Sequence, residues 1–223
     1  PESQEVDYNE LSYQLGGHYN ISLSHSLYGQ FSTGYRAPQA TELFRLQAGQ
    51  TVAELDAEKI KSLELGIRGQ WEKLYYDVTA FTMNKEDFIF QDTNRQNISN
   101  GKTVHNGVEF MLDYQLPQNF YIKANGTFAN HTYDNSLTLS RVDINGNEID
   151  TAPQHMGSAQ LGWQSEDKKT VELEWVHVGN YYVNPENTAE YSGHNLLNLR
   201  LNAVFNQHWV VNARVLNILD EDY

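Results

Sequence analysis

The sequence predicts an all-β protein whose strands form one antiparallel wall. Apolar and polar residues alternate along most of the chain, the alternating segments are long, and the connections between them are alternately short and long. Alternation with a period of two places apolar side chains on one face of a strand and polar side chains on the other. No convincing helical segment interrupts this pattern.

Ten segments carry the alternation. The stretches 63–67, 108–116 and 197–205 show it most clearly, with an apolar residue at every second position. Many segments exceed ten residues, whereas a usual strand has about five or six. The predicted strands are, in chain order, 8–21, 26–36, 58–70, 73–90, 104–117, 120–134, 153–165, 169–183, 194–206 and 209–218.

The connections indicate what kind of wall these strands form. Short connections are 22–25, 71–73, 117–119, 166–169 and 206–208. Long connections are 37–57, 91–103, 135–152 and 184–193. Antiparallel neighbours joined in this way have all tight turns at one end and all long loops at the other. Outer-membrane barrels show this asymmetry, with short periplasmic turns and long extracellular loops, whereas a soluble sandwich mixes loop lengths at both ends.

Aromatic residues near the strand ends fit the interfacial girdles of a membrane barrel, although core packing in a soluble β protein explains them equally well on their own. They are Trp71, Trp163, Trp175, Trp209, Tyr181 and Tyr182. Together with the loop asymmetry they favour a transmembrane β-barrel. We therefore expect the apolar strand positions to face lipid, among them Leu63, Leu65, Ile67, Val108, Phe110, Leu112, Leu197, Leu199 and Leu201.

Composition excludes several classes of protein. The 223-residue chain has a formal charge of −14, so it lacks the basic surface that nucleic acid requires. It contains no cysteine, which excludes disulfides and thiolate metal sites. No HExxH pattern occurs among the eight histidines, and no spacing supports a catalytic triad or paired catalytic carboxylates. An enzyme is therefore not predicted, and no cofactor is implied.

One loop stands out at the end of the second segment. The strand ends at Ala37-Pro38, because proline cannot donate to a ladder and holds the preceding residue extended. "GYRAP" followed by "ATELF" resembles the "(F/Y)RAP…EL(F/Y)" signature of TonB-dependent outer-membrane receptors. The matching positions are Tyr35, Arg36, Ala37, Pro38, Glu42 and Leu43. The segments 58–69, 77–89, 107–116, 151–163, 191–205 and 215–223 resemble later parts of the same receptors, in the same order.

The resemblance implies a function. These receptors are 22-stranded barrels, with a plug domain, in the outer membrane of Gram-negative bacteria. They import scarce solutes, most commonly ferric siderophores, with energy that the TonB complex passes through the plug. Residues 1–223 would be a single barrel fragment that lacks the plug, the early strands and the closing strand. A passive porin, or less readily a soluble carbohydrate-binding β protein, is the alternative.

Candidate ligand contacts lie at the loop end. Arg45, Gln47 and Arg95 fall in long loops, where guanidinium groups suit anionic oxygen ligands. Tyr181 and Tyr182 are expected to close the eighth strand and His194 to open the ninth, across the same loop. The competing interpretation assigns the tyrosines to the outer girdle and the arginines to loop ion pairs. Haem is disfavoured, because the stretch 39–59 contains no histidine.

A calcium site is a weaker possibility. Asp143, Asn145, Asn147 and Asp150 stand at near-alternate positions around Gly146, as oxygen ligands do in calcium loops. An Asn-Gly hairpin turn explains the same residues at least as well.

Overall fold

The computed structural model describes residues 6–44, 54–91, 97–134, 138–139, 142–167, 169–205 and 208–223. Its main element is a ten-stranded sheet in which every neighbouring pair is antiparallel. The strands of this sheet, in spatial order, are β1 (Tyr13–Asn20), β2 (His25–Arg36), β3 (Glu58–Trp71), β4 (Leu74–Gln91), β5 (Asn97–Gln115), β6 (Phe120–Tyr133), β9 (His155–Gln164), β10 (Thr170–Val178), β13 (His194–Val204) and β14 (Val210–Val215).

Small elements lie in the connections at one end of the sheet. Two-stranded ladders join β7 (Thr138–Leu139) to β8 (Val142–Asp143), and β11 (Tyr181–Tyr182) to β12 (Glu190–Tyr191). A five-residue helix, α1 (Ala40–Phe44), follows β2. The sequence pattern missed this helix because one short turn gives no periodic signal. In the helix, the Glu42 carboxylate accepts a hydrogen bond from the Gln39 N–H at 2.6 Å, as in a capping box.

The predicted all-β wall of ten antiparallel strands is confirmed, with three boundaries displaced by five residues or more and smaller differences elsewhere, such as β14, which ends at Val215 instead of 218. β1 begins at Tyr13, five residues later than predicted. β5 begins at Asn97 instead of 104, so most of the predicted loop 91–103 is strand that pairs with the end of β4. β10 ends at Val178, and Tyr181 and Tyr182 do not close it, because they pair with Tyr191 and Glu190 in a separate ladder.

The register divides the sheet into two unlike faces. Rows such as Leu65–Ala80–Val108–Phe128 run across consecutive strands with apolar side chains only. The nine apolar positions predicted to face lipid all lie on this apolar face. The opposite, polar face carries glutamate, arginine, aspartate and lysine in cross-strand contact, as at Glu174 and Arg200, whose side chains are 2.6 Å apart.

Among the described residues, hydrophobic burial is confined to the loop end of the sheet. Leu43, Leu55 and Ile89 form one small buried cluster there. Apolar residues in the middle of the sheet stay uncovered, with Leu65 59% and Phe128 60% exposed. An apolar face this broad marks a surface that a membrane or another protein covers. Within the described residues, no helix is long and apolar enough to cross a membrane.

Tryptophans gather at the tight-turn end. Trp71 is the last residue of β3, Trp163 is next to last in β9, and Trp209 directly precedes β14. Trp175 lies inside β10, nearer the loop end. Three of the four tryptophans therefore occupy one level of the wall, where an aromatic girdle is expected in a membrane barrel.

Glycines let tyrosine rings lie across the polar face. Tyr121 on β6 covers Gly162 on β9, and its ring occupies the space that a Cβ atom on Gly162 would need. The Tyr121 hydroxyl continues past this glycine and donates to Glu172 at 2.5 Å. Tyr28 covers Gly66 in the same way and donates to Asp77 at 2.5 Å. These rings tie strands together that are not direct neighbours.

Candidate functional site

The loop end of the polar face begins with an ion cluster built around Arg36. The Arg36 guanidinium donates to Glu58 through Nε at 2.9 Å and Nη2 at 2.7 Å. Its other side donates to both oxygens of Glu42, at 2.9 and 3.1 Å. Lys85 reaches Glu58 at 3.1 Å, and the Ile89 N–H donates to the same carboxylate at 3.0 Å. Glu58, only 5% exposed, thus has its charge compensated from three sides.

This cluster fixes the start of the loop that follows β2. Because Arg36 holds Glu42, the helix α1 lies against the ends of β3 and β4, and Leu43 packs with Leu55 and Ile89. The Asn97 side chain adds a hydrogen bond to the Glu42 carbonyl at 2.7 Å. The hydrogen bonds from Arg36 lower the pKa of the Glu42 carboxyl, with a smaller contribution from the Gln39 N–H.

A second cluster joins the loops between β6 and β9 and between β10 and β13. Ile144 is fully buried beside Tyr133, with Phe90 and Ile149 packed against them. The two loops are linked by polar bonds, since Asn187 donates from Nδ2 to the Glu148 carbonyl at 2.9 Å and accepts from the Glu148 N–H at 2.8 Å. The described loops therefore pack on one another at this end.

A third group is aromatic. The Tyr181 and Tyr191 rings lie 5.1 Å apart, and Tyr191 shares a hydrogen bond of 2.7 Å with Nδ1 of His194. The His194 ring stacks on Tyr223 with centroids 4.6 Å apart. Tyr182 is the register partner of Glu190. This aromatic group offers flat apolar surfaces and hydroxyl groups side by side, which suits a ligand with both characters.

The structure brings only part of the predicted ligand set together. Tyr181 and His194 belong to one aromatic group through Tyr191. Arg45, Gln47 and Arg95 lie outside the described residues. Leu43 and the motif residues Tyr35, Ala37 and Pro38 stand where β2 leads into α1.

The side chains of three of the four calcium candidates are directed to different protein partners, and the fourth, Asn145, donates its backbone N–H to one of them. Asp143 accepts from the Asn145 N–H at 3.0 Å, Asn147 donates to the Pro185 carbonyl at 2.9 Å, and Asp150 accepts from the Tyr133 hydroxyl at 2.7 Å. Gly146 has a φ of 80°, which a hairpin tip requires. These contacts favour the turn over an ion. Across the described ranges, no three His, Asp or Glu side chains are grouped to hold a metal.

Sequence reasoning missed one constellation on the polar face. His105 on β5 and His131 on β6 are register partners, and their Nδ1 atoms are 2.8 Å apart. The Thr103 hydroxyl lies 2.9 Å from the other nitrogen of His105. Met83 on β4 is also a register partner of His105, on the side away from His131. The two histidines are 26 residues apart in sequence, so spacing motifs do not reveal them.

An antiparallel wall with one apolar face, one polar face, tight turns at one end and packed loops at the other is the architecture of a transmembrane β-barrel. The chain belongs to the TonB-dependent receptor family: the family model described as "TonB dependent receptor-like, beta-barrel" matches residues 2–218. This is a family of transport receptors of the outer membrane. The family resemblance predicted from the sequence is therefore confirmed.

Individual relatives agree with this assignment. An uncharacterized TonB-dependent receptor of Haemophilus influenzae is 28% identical over 162 residues, which cover 69% of this chain and 43% of the relative. The unliganded ferric citrate transporter FecA superposes with a TM-score of 0.79 at 21% identity, over 95% of this chain and 34% of FecA. The ferric yersiniabactin uptake receptor FyuA of Yersinia pestis gives 0.75 at 18% identity, over 93% and 32%. The chain thus spans less than half of that relative and about a third of these receptors.

Proposed function

We propose that the chain forms part of the wall of an outer-membrane receptor that imports a ferric siderophore with energy from the TonB complex. The observation that carries the proposal is the two-faced wall of ten strands in a member of this receptor family. Two of its structural neighbours are described by the ferric chelates that they transport, ferric citrate and ferric yersiniabactin.

In this proposal each face and each end of the wall has its own environment. The apolar face contacts lipid in the outer membrane of a Gram-negative bacterium, and the polar face lines the lumen of a 22-stranded barrel. The tight turns are periplasmic and the packed loops are extracellular. Residues 1–223 then form one section of a single barrel domain, and the plug that meets the TonB complex belongs to another part of the receptor.

The ligand site is proposed for the extracellular loops. Arg36 and Lys85 at the mouth already compensate Glu42 and Glu58, so their charge is not free for an anionic chelate. Positive charge for the ligand would come from Arg45 and Arg95 in the loops, whose planar forks suit carboxylate, catecholate or hydroxamate oxygens. The remaining proposed contacts are Gln47, Tyr181, Tyr182 and His194.

Uptake of radioactive iron tests the proposal in a Gram-negative host that carries the full-length receptor. Ferric chelates of the catecholate, hydroxamate and carboxylate classes would be supplied separately, with and without a functional TonB complex. We expect saturable uptake of one class that requires both the receptor and the TonB complex. Uptake that is linear in concentration and independent of the complex would indicate a porin. No receptor-dependent uptake of any ferric chelate would reject the proposed cargo.

Substitutions locate the site within the same assay. Arg45→Ala and Arg95→Ala should each weaken chelate binding by about 1.5–3 kcal/mol, the usual contribution of a hydrogen bond to a charged group, which is roughly ten- to hundredfold in Kd. Lys61→Ala is a control, because Lys61 lies on the apolar face of β3 and pairs with Glu86 at 3.4 Å. If both arginine variants bind like the control, the chelate contacts other residues.

A further inference from the structure

A row of metal-ligand side chains crosses three adjacent strands on the polar face. Met83 on β4, His105 on β5 and His131 on β6 are successive register partners. Strand alternation places all three side chains on the same face. The histidine rings approach with centroids 5.0 Å apart and both are partly buried. Neither the receptor fold nor the proposed siderophore site accounts for this row.

The two imidazoles converge on a single point. Their Nδ1 atoms at 2.8 Å can share one proton, so one ring donates while the lone pair of the other accepts. The Thr103 hydroxyl, on a residue only 4% exposed, holds the Nε2 of His105 at 2.9 Å. A hydrogen bond to the outer nitrogen orients a ligating histidine and fixes its tautomer. A metal ion that replaced the shared proton would meet two lone pairs already directed at it.

The distances allow that replacement. Two nitrogens about 2.0–2.1 Å from an ion stand about 3.3–3.6 Å apart for angles between tetrahedral and trigonal. The observed separation of 2.8 Å would therefore have to widen by about 0.5–0.8 Å, which side-chain torsions on two strands can supply. The thioether of Met83, whose residue is the register partner of His105 on the next strand, is the third donor of the same row.

The donor atoms and the charged residues nearby favour a soft metal ion with a single positive charge. Two imidazoles and a thioether are neutral and soft, and thioethers favour copper(I) over calcium, magnesium or manganese. The row contributes no carboxylate, since its other register positions on β1 to β3 are Gln14, Ser32 and Ser62. In the next row stands Lys85, 3.1 Å from Glu58. The Lys85 ammonium group repels a metal ion with one positive charge less than an ion with two.

We propose that Met83, His105 and His131 form a copper(I) site on the polar face of the wall, with Thr103 as a positioning residue. The site takes copper(I) or its chemical analogue silver(I), each bound as a bare ion by two imidazole nitrogens and one thioether sulfur. It is separate from the loops proposed to bind the ferric chelate.

The chain provides a matched control for this site. His155 and His177 form another cross-strand imidazole pair, with Nε2 of His177 3.0 Å from Nδ1 of His155. That pair lies on the apolar face, and Asn195 binds His177 at 2.9 Å. Its rows contain no methionine. Loss of a histidine pair can thus be tested with and without the proposed geometry.

Copper(I) binding by the full-length receptor in detergent tests the proposal, in competition with a chromophoric copper(I) chelator under anaerobic conditions. The unaltered receptor should bind one equivalent more than the His105→Asn/His131→Asn variant. Met83→Leu should weaken that equivalent about tenfold or more, and Thr103→Val by about ten- to hundredfold. His155→Asn/His177→Asn should retain it.

X-ray absorption of the copper-loaded, unaltered receptor gives a readout that needs no variant to fold. A copper–sulfur shell together with imidazole scattering is expected, and the sulfur signal should disappear in Met83→Leu. The proposal is overturned if the unaltered receptor binds no copper(I), if the His105→Asn/His131→Asn variant binds as many equivalents as the unaltered receptor, or if the control variant His155→Asn/His177→Asn loses the equivalent as well. Siderophore uptake can succeed or fail independently of all three results.

Discussion

Replacement of Arg36 by methionine tests the ion cluster at the mouth. The substitution keeps the length of the side chain but removes both hydrogen bonds to Glu58 and both to Glu42. Glu58 keeps its contacts with Lys85 and the Ile89 N–H, so its negative charge is still partly compensated. The arm to the nearly buried Glu58 contributes about 1.5–3 kcal/mol, and the more exposed arm to Glu42 about 0.5–1. Arg36→Met should therefore destabilise this end by about 2–4 kcal/mol.

Amide hydrogen exchange in the full-length receptor measures that local loss. The Gln39 N–H donates to Glu42 and the Ile89 N–H to Glu58, so these amides report the two arms separately. A loss of about 2–4 kcal/mol corresponds to roughly 30- to 900-fold faster exchange, if exchange proceeds through local opening. Amides of the tight turns, at the far end of the wall, should not change.

Two further variants separate the cluster from a general effect of charge removal. Lys61→Met breaks a half-exposed pair with Glu86 at 3.4 Å, and should change exchange by less than about fivefold. Adding Glu58→Gln to Arg36→Met should recover part of the loss, since it removes the poorly compensated buried charge. If Arg36→Met exchanges within threefold of the unaltered receptor at both amides, the cluster does not hold the loop as described.

Three other results are expected of the full-length receptor. Phe110→Arg should cost about 2–4 kcal/mol in urea unfolding if it lies near the bilayer midplane, and less toward either interface. Gly162→Val should cost about 1–3 kcal/mol, since the new side chain displaces the Tyr121 ring, whereas Gly17→Ala, with open space around it, should cost little. Glu42 has a lowered pKa, so its contribution is complete above its ordinary value near 4.5 and is lost as the pH falls below that. The protection of the amides in residues 37–44, expressed relative to their intrinsic exchange rates at each pH, should therefore fall in acid, and Glu42→Gln should remove that pH dependence.

Most of the wall was predictable because its signal is local. Each strand that faces an apolar surface on one side must alternate, and the alternation in 63–67 or 197–205 can be read without knowing any partner. The start of β5 was missed because residues 97–102 contain a single apolar side chain, Ile98, and therefore show no alternation. Their strand conformation comes from backbone pairing with the end of β4, and the pattern of side chains does not reveal this pairing. The ladder of Tyr181 and Tyr182 was missed for a similar reason.

The candidate sites depend more on register than on local sequence. His105 and His131 meet because equal steps outward from the tight turn between β5 and β6 pair them. Counting from that turn would have found them, whereas a search for close sequence spacing could not. The environment of Glu58 was equally hidden, because Arg36 reaches it from β2 while Lys85 and the Ile89 N–H reach it from β4.

The central claim is that the wall stands in a membrane with its apolar face toward lipid. Nitroxide labels placed singly at residues 108 to 114 of β5, in the full-length receptor in bilayers, test it most directly. Labels at 108, 110, 112 and 114 should be relaxed by oxygen, which dissolves in lipid. Labels at 109, 111 and 113 should instead be shielded from lipid and reached by a water-soluble reagent or packed against the plug. Efficient relaxation of 108, 110 and 112 by the water-soluble reagent, or no alternation along the strand, would contradict the account.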